Sequence, residues 1–134
     1  MRKPPHRRRV ASPERWLEYA AGDAELARRA LQEPMLLPAA YYHAQQAGEK
    51  ALKGYLVHLG CVRVPRTHDL FALRDGILNA NGDEPPVEPM EILDGFPVGI
   101  RYPDLLPPAA EEARGALAAA EALIAFVRER IEVS

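Results

Sequence analysis

Residues 39–60 read Ala-Ala-Tyr-Tyr-His-Ala-Gln-Gln-Ala-Gly-Glu-Lys-Ala-Leu-Lys-Gly-Tyr-Leu-Val-His-Leu-Gly, and this stretch determines the architecture. At about 100° per residue, its small and apolar side chains share one sector: Ala40, Ala44, Ala47, Gly48, Ala51, Gly54, Tyr55 and Leu59. We therefore predict a helix from about Pro38 to Gly60, with glycine in the left-handed position past its end. The opposite sector contains larger and polar side chains: Tyr42, Gln46, Glu49, Lys50 and Lys53.

Two glycines inside this helix indicate close packing. Each costs about 1 kcal/mol relative to alanine, so Gly48 and Gly54 suggest that another chain segment approaches there. That segment lies either within the fold or across a dimer interface. A helix of about 22 residues spans roughly 33 Å, the height of a small domain, so we predict that it is central.

The segments on either side also contain helix signals. Ser12 before Pro13 is a typical helix start, and Pro34 is predicted to end that first helix near residue 32. Thr67 is predicted to cap a third helix, with Asp69 in its first turn.

The remaining residues predict a short fourth helix within 86–95 and an alanine-rich last helix after Pro108. Between them, proline and glycine predict a non-helical connection. No strand is predicted. The sequence therefore predicts an all-α fold: an antiparallel up-and-down bundle of four to five helices, formed by residues 12–134.

Composition excludes several classes of protein. A chain of 134 residues with 48% apolar residues is sized for one domain. Its single cysteine, Cys61, rules out an internal disulfide and fits a reducing compartment, so we expect a cytoplasmic protein. Neither a signal peptide nor a run of about 18 apolar residues is present, so no membrane association is expected.

The net charge of −2 conceals a basic N-terminus. Five of the 17 basic residues and no acidic residue precede position 10, which leaves 12 basic against 19 acidic side chains in the rest of the chain. Residues 1–11 are predicted to be a disordered basic arm, either simply solvated or binding nucleic acid. The acidic remainder does not favour extensive nucleic-acid contact.

Three motifs in order, Glu49-Lys-Ala-Leu-Lys, Thr67-His-Asp-Leu and Arg101-Tyr-Pro, resemble the HEPN domain family over about residues 12–131. The resemblance implies a helical bundle that usually forms a homodimer and is often encoded beside a minimal nucleotidyltransferase. Some relatives are thought to bind nucleotides, and others are metal-independent ribonucleases of toxin–antitoxin systems. Those ribonucleases have an arginine and a histidine separated by four to six residues, late in the bundle. This chain has no histidine after His68.

A ribonuclease remains the alternative, because Arg63 and His68 have a similar spacing, although they lie before the third helix. Arginine would bind the scissile phosphate, and histidine would accept the 2′-hydroxyl proton. Arg101 is a further candidate for this activity. We therefore expect a non-catalytic HEPN protein as the first hypothesis, a ribonuclease toxin as the second and a stand-alone nucleotide-binding module as the third.

Four residues are predicted to bind nucleotide or phosphate: Lys50, Lys53, His68 and Arg101. The two lysines are either a phosphate site or part of an ordinary charged helix face with Glu49. His68 is at a helix N-terminus, where an anion site and simple capping are both plausible. Arg101 either binds phosphate or carboxylate, or ties its own loop. No metal spacing and no cofactor motif is found.

Overall fold

The computed structural model describes residues 10–96 and 106–133, and these form five α-helices and one 3-10 turn without any strand. The helices are α1 (Pro13–Ala30), α2 (Leu37–His58), α3 (Leu70–Asn79), α4 (Val87–Leu93) and α5 (Ala110–Val133), and the turn is Pro34–Leu36. The predicted all-α bundle is confirmed. Residues 1–9 of the predicted basic arm (1–11) and the loop that contains Arg101 lie outside the described residues.

The first helix starts as its sequence predicts. The hydroxyl oxygen of Ser12 accepts a hydrogen bond from the Arg15 amide over 3.1 Å, and Pro13 occupies the first helical position. Alanines line the buried faces of α1 and α2: Ala20, Ala24, Ala27, Ala40, Ala44, Ala47 and Ala51. Because these side chains are small, the two helices pack closely along their length.

Gly54 lies where the end of α2 crosses the start of α1. A Cβ atom at this position would be 2.8 Å from Trp16 Cβ and 3.4 Å from the Pro13 carbonyl oxygen. At Gly48 the nearest atoms belong to the side chains of Leu93 and Leu123. Both glycines therefore accommodate neighbours within the same chain. Of the two alternatives, packing within the fold or across a dimer interface, the structure shows the first.

The long helix α2 is central, as predicted, because it packs against all four other helices. Apart from Pro85, the largest fully buried side chains come from α2, α3, α4 and α5: Leu52, Leu73, Ile77, Met90, Leu93, Leu123 and Val127. Gly60 follows the helix with a φ of 102°, the left-handed conformation expected at a helix end.

The prediction that Thr67 caps the third helix is wrong. Asp69 is the cap: its carboxylate accepts hydrogen bonds from the Phe71 and Ala72 amides over 3.0 and 3.2 Å. The Thr67 hydroxyl instead accepts from the Asp69 amide over 3.0 Å, in a turn that precedes the helix. Both residue types suit a cap, and the structure selects the one nearer to Leu70, where the helix begins.

Polar side chains of α2 hold the C-terminal end of α4. The Gln45 amide donates to the carbonyl oxygens of Leu93 and Phe96 over 2.8 and 2.7 Å. The Tyr41 hydroxyl donates to the Ile92 carbonyl oxygen. Burial raises the pKa of the Tyr41 phenol, so it remains a hydrogen-bond donor across the physiological range.

Candidate functional site

The polar face of α2 is less exposed than its sequence predicts. Glu49 and Lys53 are only 6% and 8% exposed, so the alternative of an ordinary exposed charged face is wrong for these two residues. Their burial is possible because the Lys53 ammonium donates to Glu49 Oε2 over 2.8 Å. A buried charge requires such a partner.

Glu49 also connects two of the three motifs on which the family resemblance rests. Its second oxygen, Oε1, lies 2.7 Å from Nδ1 of His68, at the entrance to α3. One buried carboxylate therefore binds both Lys53 and His68. The His68 side chain is 63% exposed, so the imidazole extends from this buried carboxylate towards the surface.

A second buried carboxylate, Asp23 of α1, repeats this arrangement. Its Oδ1 lies 2.9 Å from His43 Nδ1, and its Oδ2 accepts from the Lys50 ammonium over 2.5 Å. Asp23 was not identified from the sequence. The available signal was its position, three residues after Ala20 and four before Ala27, in an otherwise apolar stripe.

A shallow groove of about 220 Å³ lies beside Lys50, between α1 and α2. Its other lining residues are Ala11, Arg15, Trp16 and Tyr19. The Arg15 guanidinium donates to the Tyr19 hydroxyl over 3.2 Å and lies 5.1 Å from the ring centroid, and Lys50 Nζ lies 6.0 Å from the same centroid.

This groove combines two cations with two aromatic rings. Aromatic faces stack on planar groups, and Arg and Lys bind anions by charge-assisted hydrogen bonds. Two buried side-chain donors, Trp16 Nε1 of the groove and Gln46 Nε2 of α2, have no hydrogen-bond partner in the described part of the chain. The arrangement is suited to a planar molecule with an anionic group.

The structure separates the predicted site residues into three groups. Lys53 and His68 share Glu49, whereas Lys50 is bound to Asp23 and lines the groove. The Arg63 side chain is exposed, and its carbonyl oxygen accepts from the Cys61 thiol over 3.3 Å. Arg101 lies outside the described residues.

Within residues 10–96 and 106–133, no cluster of three or more His, Cys, Asp or Glu side chains has a geometry that could hold a metal ion. Over the same ranges, no helix is both long and apolar enough to cross a membrane.

Comparison with known proteins adds independent evidence. The family model of the HEPN domain matches residues 13–130. The fold is similar to the crystal structure of TT1696 from Thermus thermophilus, at 30% sequence identity and a TM-score of 0.69. That similarity covers 87% of this chain and 96% of the other. A search of curated proteins finds no significant match.

Proposed function

Because this chain belongs to the HEPN domain family, we propose that it is a non-catalytic helical-bundle subunit that contributes a nucleotide-binding surface. In this proposal the subunit dimerises and partners a separately encoded minimal nucleotidyltransferase in the cytoplasm. The groove between α1 and α2 is the observation that supports nucleotide binding most strongly. It offers aromatic faces for a base and two cations for phosphate oxygens.

The predicted binding residues have different roles in this proposal. Lys50 lines the groove and binds phosphate together with Arg15. Lys53 is buried and bound to Glu49, so it acts mainly by holding the carboxylate that binds His68. Arg101 remains a proposed phosphate ligand on the grounds of its residue type.

The absence of a histidine after His68 supports a non-catalytic role. A ribonuclease with Arg63 and His68 is the second candidate function. One observation favours it: the exposed His68 imidazole is held at Nδ1 by a buried carboxylate, as a general base would be.

Titration of the full chain with ATP tests the nucleotide proposal. We expect Arg15→Ala and Lys50→Gln each to weaken binding by about 1–3 kcal/mol, because each removes a charge-assisted hydrogen bond. This corresponds to roughly a 5- to 150-fold higher dissociation constant by calorimetry. Arg114→Ala removes an exposed α5 cation that does not line the groove, and it should bind like the wild type. Equal affinity for ATP in the wild type and all three variants would refute the groove as the nucleotide-binding site.

The α1–α2 connection supports assembly, because two of its apolar side chains, Met35 and Leu36, are exposed. Leu26, in the last part of α1, is exposed as well. We expect light scattering to give the mass of a dimer for the full chain. Met35 is 89% exposed, and Met35→Asp should yield a monomer if this connection lies in the interface. Val62→Asp, at a 78% exposed position of another loop, is the matched control and should remain dimeric. A monomeric wild type that also fails to co-purify with a co-expressed nucleotidyltransferase would contradict the proposal.

A further inference from the structure

Glu49 has a hydrogen-bond donor on each of its carboxylate oxygens. Lys53 Nζ donates to Oε2, and His68 Nδ1 lies 2.7 Å from Oε1. An ionised carboxylate has no proton to donate, so the proton between Oε1 and the imidazole belongs to Nδ1. The contact therefore requires Nδ1–H on His68.

This requirement determines the chemistry at the other side of the ring. A neutral imidazole has one N–H group and one nitrogen lone pair. Since Nδ1 has the proton, Nε2 has the lone pair. Glu49 is buried, whereas the His68 side chain is 63% exposed, so the imidazole can meet other molecules with Nε2.

We propose that Glu49 is a positioning residue for His68: it fixes the neutral imidazole in its Nδ1–H tautomer and presents Nε2 as a hydrogen-bond and proton acceptor. The assignment changes the role of His68 in the site. A neutral His68 accepts from a hydroxyl or amino group and does not donate to a phosphate oxygen. Phosphate is then bound by Lys50 and Arg15 in the groove, whereas His68, which belongs to the separate Glu49 group, accepts from a donor group of a bound ligand, a step that rests on the proposed function.

Lys53 has a supporting part in this arrangement. Its ammonium occupies Oε2, which leaves Oε1 as the oxygen available to His68. Without Lys53, the carboxylate could rotate and the buried charge would lack its partner. The three residues Glu49, Lys53 and His68 therefore form one unit, which links α2 to the segment before α3.

The tautomer can be measured without any ligand. We expect the long-range proton–nitrogen NMR spectrum of the full chain, recorded at about pH 8, above the ordinary histidine pKa, to show a protonated Nδ1 and an unprotonated Nε2 for His68. His68→Gln identifies the signals by removing them. A protonated Nε2 in the wild-type protein would overturn the proposal.

Two variants test whether Glu49 is the cause. Glu49→Leu combined with Lys53→Met removes the acceptor without leaving a buried cation, and the Nε2–H tautomer of His68 should then become populated. Asp23→Ala is the matched control, because it removes the carboxylate from His43 and should alter only the His43 signals. An unchanged His68 tautomer in the double variant would exclude Glu49 as the positioning residue.

Addition of ATP to the same sample separates this inference from the proposed function. A bound donor group should shift the His68 Nε2 resonance, and Arg15→Ala should reduce that shift at a given ATP concentration. If ATP binds and the Nε2 resonance does not move, the ligand role of His68 is refuted. The proposal that the groove binds ATP is then retained. If ATP does not bind at all, the proposed function fails and the tautomer measurement still decides the role of Glu49.

Discussion

Gly54→Ala is expected to lower the free energy of unfolding by about 1–3 kcal/mol, the range for overpacking a well-packed contact. The added Cβ would lie 2.8 Å from Trp16 Cβ, an atom attached directly to the α1 backbone. It cannot rotate away, so α1 and α2 must separate to accept the new methyl group. This loss should exceed the gain of about 1 kcal/mol that alanine brings inside a helix.

Gly22→Ala is the matched control in the same helix pair. Gly22 lies inside α1, and a Cβ there would have no neighbour within 4 Å. The same chemical change should therefore raise stability, by up to about 1 kcal/mol, through helix propensity alone. Urea unfolding of both variants measures the difference. A Gly54→Ala protein as stable as Gly22→Ala would show that α1 and α2 do not meet at this position.

Glu49→Leu is expected to destabilise the fold by about 3–5 kcal/mol, because it leaves the Lys53 ammonium buried without its partner. Adding Lys53→Met removes the stranded charge and should restore most of that loss. Methionine has a flexible apolar side chain of similar length, so it can fill the volume of the lysine.

A double-mutant cycle by urea unfolding tests this pair. The Glu49→Leu and Lys53→Met changes should be strongly non-additive, with the double variant more stable than the Glu49→Leu variant. Arg29 with Glu25 provides an exposed i, i+4 pair in α1 for comparison, and its coupling should be only about 0.3–0.5 kcal/mol. Additive effects at Glu49 and Lys53 would contradict their burial as a bound pair.

Much of the fold could be predicted from sequence patterns within single helices, because contacts between helices do not change the structure that these patterns favour. The small-residue sector of α2 predicts a central helix, and the interior glycines predict close approach. Both features are determined by side-chain volume, which is a property of each residue by itself. The cap of α3 shows the limit, because Thr67 and Asp69 have similar local preferences and their relative positions in the folded turn decide between them.

The candidate site is harder to predict because its contacts join distant segments. Asp23 and Lys50 are 27 residues apart, and Glu49 and His68 are 19 apart. Helical periodicity places Glu49 and Lys53 on a polar face. It does not predict which other segments cover that face. Identifying the two carboxylate networks therefore requires the packing of α1 and α3 against α2.

The proposed non-catalytic role of this HEPN domain is best tested by incubating the purified full chain with RNA and resolving the products by size. We expect intact RNA with the wild type, and the same result with Arg63→Ala and His68→Ala. RNA cleavage by the wild type that is lost in His68→Ala would refute the non-catalytic role, and would make His68 the base of a ribonuclease.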